Sequence, residues 1–152
     1  MSVEVTNESG FEVEMALVRE LAEHAIRSLE LHPAVELGIT FIDVEPMTEL
    51  HVKWMDEPGP TDVLSFPMDE LRPGSSSDPE GDGVLGDIVV CPEVARQQAE
   101  IAGHRPIDEI LWLVAHGILH LVGFDHAEPE EERQMFGLQH QIIDSFKAIR
   151  SY

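Results

Sequence analysis

Three histidines and one glycine in the second half of the chain constrain its structure more than any other feature. His116 and His120 are four residues apart, so on a helix they share one face, about one turn from each other. Gly123 can end that helix in a left-handed conformation and let the chain double back, which would bring His126 to the same point. The spacing therefore predicts a helix that presents imidazoles to a single metal ion.

The alternative to a metal site is a set of well-paired structural histidines. His116 and His120 interrupt an apolar run from Ile110 to Val122, where unpaired imidazoles would be costly to bury. Catalytic zinc takes three protein ligands and keeps an open position, and neutral imidazoles suit zinc better than they suit magnesium. We therefore predict about one zinc ion per chain, with His116, His120 and His126 as its ligands.

The residue after the first histidine indicates what such a site could hydrolyse. The spacing matches the long zinc-protease motif, in which a glutamate general base directly follows the first histidine. This chain has Gly117 at that position. The change keeps the ligands and removes the peptidase base, which favours metal-dependent hydrolysis of something other than a peptide. The fourth coordination position of the zinc ion would hold a water molecule, whose pKa zinc can lower toward about 7.

Length, composition and charge limit the possible classes of protein. A chain of 152 residues, 43% of them hydrophobic, predicts one soluble domain spanning 1–152. The longest apolar stretch is too short to span a membrane, and the N-terminus has no visible signal peptide. The single cysteine, Cys91, fits a reducing cytoplasm and follows an apolar strand, so we predict a buried structural thiol. The net charge of -21 by itself speaks against a nucleic-acid partner.

Hydrophobic periodicity predicts an α+β fold with about four strands and five or six helices. The predicted strands cover residues 3–6, 36–44, 63–66 and 84–91, and the predicted helices cover 11–31, 46–54, 92–102, the histidine segment from 106, and a last helix from 129. We expect a mixed sheet packed with helices, the metal site lying on a central buried helix as in zincins. The polar composition of residues 69–83, rich in glycine, proline and serine, predicts a flexible loop. The predicted core face of the last helix is Met135, Leu138, Ile142, Phe146 and Ile149.

Several polar residues leave alternatives open. Asp62, with Thr61, could form a turn or cap, or contact a substrate. Asp87 lies in an apolar strand and could orient a ligating histidine or bond a backbone amide. Asp125 could take either of these roles or assist an attacking water. The remaining histidines are predicted to be structural or superficial: His24, His32, His51, His104 and His140.

Three segments of the chain resemble motifs of a known family. Residues 60–67 (PTDVLSFP) are followed by Gly86-Asp87-Ile88 and then by the histidine motif from 116 to 126. In this order and spacing, over about residues 35–145, the chain resembles the YbeY family of bacterial endoribonucleases. The resemblance implies a cytoplasmic, zinc-bound RNA hydrolase specific for single strands, with the three motif histidines as metal ligands. It also implies a role in maturation of the 3′ end of small-subunit ribosomal RNA and in ribosome quality control. The implied partners are this RNA and the small subunit with its proteins, and not DNA or a membrane.

One position departs from the pattern of that family. Just before the Pro-Thr-Asp motif, the family commonly places an arginine after an aromatic residue, whereas this chain has Met55 after Trp54. Lys53 would project from about the opposite side of a helix. The acidic-basic pair that precedes Pro-Thr in the family is replaced by Pro58 and Gly59. We therefore expect the chain to rely on a ribosomal or protein partner to present its RNA.

Metal-assisted hydrolysis of a phosphodiester is the favoured mechanism, because a metal can also stabilise charge that develops on a phosphate oxygen. Two other functions stay open on the residues alone. One is a zincin-type metallopeptidase whose base comes from elsewhere in the chain. The other is a ribosome assembly factor that binds without catalysis and carries a structural zinc.

Overall fold

The computed structural model of the chain describes residues 1–55, 59, 61–74, 76 and 82–150. Its strands are β1 (Ser2–Asn7), β2 (Glu36–Phe41), β3 (Val63–Pro67) and β4 (Val84–Val90). Its helices are α1 (Met15–Ser28), α2 (Val44–Met55), α3 (Pro92–Ala102), α4 (Pro106–Leu121) and α5 (Pro129–Arg150). Over the described ranges, none of these helices combines the length and the apolar character needed to cross a membrane.

The strands form one mixed sheet in the order β1-β2-β4-β3. β1, β2 and β4 run parallel, while β3 runs antiparallel to β4 and forms an edge of the sheet. Residues that alternate along β2 (Leu37, Ile39 and Phe41) are all buried, as expected for a strand with one covered face. The predicted α+β class with a four-stranded mixed sheet is confirmed.

Helix α4 lies at the centre of the fold. It contacts α1, α3, α5, β3 and β4, because its apolar side chains occur on nearly every side of the helix. Asp108 and Glu109 lie in its first turn, where their negative charges complement the positive end of the helix dipole. The prediction of a central buried helix is confirmed, and this helix carries the first two motif histidines.

A smaller apolar cluster covers part of the face of the sheet that lies away from α4. It joins Met47 of α2 to Leu64 of β3 and also contains Ile42 and Cys91. Cys91 is fully buried, as predicted, and burial raises the pKa of its thiol. The cluster fixes α2 against the edge strand β3, and this contact determines where the last residues of α2 lie.

Three predicted helix boundaries were wrong. α1 begins at Met15 and not at residue 11, since Asn7 accepts a hydrogen bond from the Ser9 amide and donates one to the Phe11 carbonyl. Such local side-chain bonds offer the backbone an alternative to the helix. The same helix ends at Ser28, before residue 31, because the backbone turns left-handed at Glu30. α2 starts at Val44, so the preceding strand is shorter than predicted.

One predicted core residue and the aspartate of the apolar strand β4 are exposed to solvent. Ile149, predicted on the core face of the last helix, is 73% exposed in the final turn of α5. Asp87 is exposed on the face of the sheet opposite α4, with its carboxylate over Gly38. Neither role proposed for Asp87 is therefore observed among the described residues. In the segment 69–83, residues 75 and 77–81 lie outside the described residues, and the rest contains no helix or strand.

Candidate metal centre

The end of α4 brings the third motif histidine back toward the first two. Gly123 has a φ of 99°, a conformation that other residues adopt at a cost. The Gly123 amide donates to the His120 carbonyl at 3.1 Å, and the Phe124 amide donates to the Leu119 carbonyl at 3.0 Å. These bonds close the last turn of the helix, and the chain then reverses toward His126. The predicted role of Gly123 as the turn residue is confirmed.

The three histidines form a cluster that could hold one metal ion. One ring nitrogen from each of His116, His120 and His126 can be chosen so that all three lie within 4.8 Å of one another. The Nε2 atoms of His116 and His120 are 3.1 Å apart. Two ligands of a tetrahedral zinc ion with bonds of about 2.0–2.1 Å would be separated by roughly 3.3 Å. The spacing of the nitrogens therefore suits one small cation.

The electrostatic environment favours neutral imidazoles at the first two positions. Burial lowers the pKa of His116, although its hydrogen bond to Gln139 and the charge of Asp62 act in the opposite direction. Burial and the neighbouring histidines also lower the pKa of His120, opposed by Asp125 and a hydrogen bond to the Phe124 backbone. Neutral imidazole is the form that binds metal, so both side chains are poised for ligation near neutral pH.

The histidine cluster opens into a cleft of about 420 Å³ beside the edge strand β3. Met55, at the end of α2, lines this cleft together with Ser65 and all three histidines. The described residues that line it include no lysine or arginine. Lys53 instead lies over the Trp54 ring, 5.3 Å from its centroid. The position where a cation was expected on grounds of resemblance thus faces the site and carries an apolar side chain.

The two carboxylates beside the cluster differ in how many of their oxygens are already engaged. Asp62 accepts a hydrogen bond from the Val63 amide at 2.7 Å on one oxygen and one from Gln98 at 3.2 Å on the other. Asp62 lies at a bend just before β3 and also borders the cleft. Asp125 accepts a hydrogen bond from the His126 amide at 2.7 Å through its Oδ1. No further bond to Asp125 occurs among the described residues.

The glycine between the ligands of the helix has a packing role. A Cβ at residue 117 would lie 3.0 Å from Cγ2 of Ile88 on β4, closer than side chains normally approach. The Gly117 carbonyl also accepts a hydrogen bond from the Ser65 hydroxyl at 3.3 Å. Glycine at this position therefore lets α4 approach the sheet closely, in addition to leaving the site without a protease-type base.

Helix α5 contributes two residues that the sequence analysis did not identify. Phe136 packs against His116, with ring centroids 5.7 Å apart, and Gln139 hydrogen-bonds His116 Nδ1 at 3.0 Å. The signal for Gln139 was present, because it lies at helical spacing between the core residues Met135 and Ile142. A polar amide at a core position of an amphipathic helix indicates a buried partner.

Comparisons with known proteins agree with this geometry. The family model described as Endoribonuclease YbeY matches residues 4–147. The chain belongs to the YbeY family. It is 61% identical to the Endoribonuclease YbeY of Clavibacter sepedonicus over 146 residues, which is 96% of this chain and 95% of that protein. It is 58% identical to the Endoribonuclease YbeY of Beutenbergia cavernae over 150 residues, covering 99% and 100% of the two chains.

A solved structure is also similar to this member of the YbeY family. The solution structure of a Thermotoga maritima protein matches with a TM-score of 0.67 at 25% sequence identity. The match covers 98% of this chain and 91% of that one. The resemblance noted in the sequence is thus confirmed at the level of family, and the fold is shared with a protein of low sequence identity.

Proposed function

We propose that this chain is a zinc-dependent endoribonuclease that cuts single-stranded RNA in maturation of the 3′ end of small-subunit ribosomal RNA. The observation that carries the proposal is the cluster of three histidine nitrogens within 4.8 Å in an open cleft, in a chain matched from 4 to 147 by the YbeY family. The same activity would serve ribosome quality control in the cytoplasm. Its partners would be the small ribosomal subunit and its proteins.

The donor set supports zinc as the metal. Three imidazoles, two of them kept neutral by burial, match the histidine-rich catalytic sites of zinc better than the oxygen sites of magnesium or calcium. His116, His120 and His126 would hold the ion. When bound, zinc would supply Lewis acidity toward a water molecule and a phosphate oxygen.

Asp125 is the carboxylate that we assign to proton transfer. Both oxygens of Asp62 accept hydrogen bonds, whereas only Oδ1 of Asp125 is engaged, by the His126 amide. We propose that the second oxygen of Asp125, which accepts no hydrogen bond from the described residues, accepts a proton from an attacking water. Asp125→Asn keeps the bond to the amide and removes the base, so we expect zinc binding to persist while the cleavage rate falls by about 10²–10⁴-fold.

The charge of the chain explains why RNA would be delivered by a partner. The net charge is -21, and the described lining of the cleft carries Asp62 but no lysine or arginine. A phosphate chain approaching the isolated protein would be repelled at low ionic strength. We propose that the small subunit or a bound protein presents the single strand at the edge beside β3, and that the isolated enzyme cleaves slowly.

The experiment that tests the function compares three substrates. Purified protein is incubated with single-stranded RNA, with double-stranded RNA and with casein, each with and without a chelator and with zinc added back. We expect cleavage of the single strand alone, lost with chelator and restored by zinc. Cleavage of casein would favour the metallopeptidase. Zinc binding without cleavage of any substrate, even with small subunits added, would favour a non-catalytic assembly factor.

Elemental analysis tests the ligand assignment separately. His120→Ala should remove most of the bound zinc, because it removes one of three ligands. His32→Ala is the matched control, since His32 lies outside the cluster and accepts a hydrogen bond from the Ala34 amide. Full zinc occupancy in the His120 variant would refute the assignment.

A further inference from the structure

Gln139 is the only polar side chain among the described residues that is fully buried. It lies on α5 beside the core residues Met135 and Ile142, where an amide without partners would be costly. Burial of this group therefore indicates that its hydrogen bonds are part of the structure. Both of its bonds lead to α4, the helix that carries His116 and His120.

The two bonds of Gln139 define the orientation of its amide. Its Nε2 lies 3.0 Å from the Trp112 carbonyl oxygen, and its Oε1 lies 3.0 Å from His116 Nδ1. A carbonyl oxygen can only accept, so the amide nitrogen must face Trp112 and the amide oxygen must face the imidazole. The oxygen carries no hydrogen, and consequently His116 Nδ1 must be the donor.

A donor at Nδ1 determines the state of the other ring nitrogen. Neutral imidazole carries one hydrogen, so His116 with Nδ1–H has its lone pair on Nε2. That Nε2 is the atom that lies 3.1 Å from His120 Nε2, inside the histidine cluster. The lone pair of His116 therefore points to the centre of the cluster before any metal arrives.

We propose that Gln139 is a positioning residue that holds His116 as its Nδ1–H tautomer and aims Nε2 at the metal. It clamps the ring to its own helix, because Trp112 lies one turn before His116 on α4. It does so as a neutral group, unlike the carboxylates that often support metal-binding histidines. This inference rests on the metal site of the proposed function and does not require that the substrate be RNA.

The first test needs no substitution. Nitrogen-15 NMR of the histidine side chains in the metal-free protein distinguishes the two tautomers of His116. We expect the Nδ1–H form. The Nε2–H form in the wild-type protein would overturn the proposal directly, whatever the behaviour of any variant.

The second test measures zinc affinity by competition with a chromophoric chelator. Gln139→Met keeps the length of the side chain but removes both hydrogen bonds, and we expect zinc to bind about 10- to 100-fold more weakly. Gln139→Glu keeps an oxygen toward Nδ1 in either protonation state and should recover most of the affinity. Gln141→Met, on an exposed position of the same helix, is the matched control and should bind zinc normally.

The outcomes separate this inference from the proposed function. Wild-type zinc affinity and an unchanged His116 tautomer in Gln139→Met would refute the positioning role even if the enzyme cleaves RNA. Weak zinc binding in Gln139→Met that is recovered in Gln139→Glu would support the role even if no RNA is cleaved. Equal loss in both variants, with the tautomer unchanged, would indicate a packing role only and would overturn the proposal.

Discussion

Replacing Gly117 with alanine tests whether close packing of α4 on the sheet explains the glycine beside the first histidine. Gly137, on α5, is the matched control, because it is exposed and has no neighbouring atom within 4 Å of its would-be Cβ. Both residues lie inside helices, so the gain in helix propensity and the change in the unfolded chain are similar. The two substitutions differ in what the new methyl group meets.

The structure sets the size of the expected difference. At residue 117 the new Cβ would lie 3.0 Å from Cγ2, 3.1 Å from Cδ1 and 3.2 Å from Cγ1 of Ile88. Overpacking of this kind costs about 1–3 kcal/mol, while the helix gain is about 1 kcal/mol. Gly137→Ala should therefore raise the free energy of unfolding by about 1 kcal/mol. Gly117→Ala should fall below this control by about 1–3 kcal/mol.

Urea unfolding of the metal-free proteins measures both values, and Ile88→Val adds a second criterion. Alone, this substitution should cost about 0.5–1.5 kcal/mol. Combined with Gly117→Ala it removes Cδ1 from the clash, so the double variant should be more stable than the sum of the single effects by about 0.5 kcal/mol or more. Equal stabilisation by alanine at both glycines, with additive effects, would refute the reasoning.

The same contact changes what can be expected of a glutamate at residue 117. Its side chain would start from a buried position against Ile88, and an unpaired buried carboxylate is costly. Gly117→Glu should therefore destabilise the fold more than Gly117→Ala, and should gain neither RNA cleavage nor peptidase activity.

Three further predictions concern the cleft and the histidines. Met55→Arg should tighten binding of single-stranded RNA at low salt and steepen the dependence of log K on log salt by roughly 0.7. Val52→Arg is the control and should have a smaller effect, because Val52 lies outside the described lining of the cleft. Equal salt slopes for the wild-type protein and Met55→Arg would show that Met55 does not face the RNA. Gly123→Ala places a side chain at φ 99°, so it should lower the free energy of unfolding by about 1–2 kcal/mol and weaken zinc binding. Zinc affinity equal to that of the wild-type protein would contradict this prediction. Burial lowers the pKa of His116 and His120 in the folded protein, whereas a histidine in the unfolded chain has a pKa of about 6.5. The stability that these two histidines contribute to the metal-free protein should therefore be complete above about pH 6.5 and be lost as the pH falls from there through their lower folded-state pKa values. Urea unfolding from pH 7.5 to 5 checks this, and the loss should be smaller when both histidines are replaced by glutamine.

The helix and turn that carry the histidines could be predicted from the sequence because they depend on neighbours. Two histidines four residues apart share a helix face wherever that helix packs. A glycine after an apolar helix commonly adopts the left-handed conformation that reverses the chain. The clustering of His116, His120 and His126 was therefore predictable, as were the strands with alternating burial and the central position of α4.

The boundaries of α1 and the location of Asp87 show where local patterns were insufficient. The apolar periodicity of α1 continues toward residue 11, but the hydrogen bonds of Asn7 compete with the helix there. Asp87 lies among apolar neighbours in the sequence, yet only the packing of the helices decides which face of β4 is covered. Alternation along a strand predicts two faces and does not say which one is buried.

Only the tertiary structure decided what surrounds the histidines. Gln139 is 23 residues from His116 in the chain, and Ile88 meets Gly117 across the interface between β4 and α4. Met55 lines the cleft because α2 packs against β3 through a separate apolar cluster. The sequence by itself determined which side chains could bind a metal, because ligand spacing along a helix is a local property. The tertiary structure decided which partners orient those ligands and what charge the cleft offers a substrate, because both depend on contacts between segments distant in the chain.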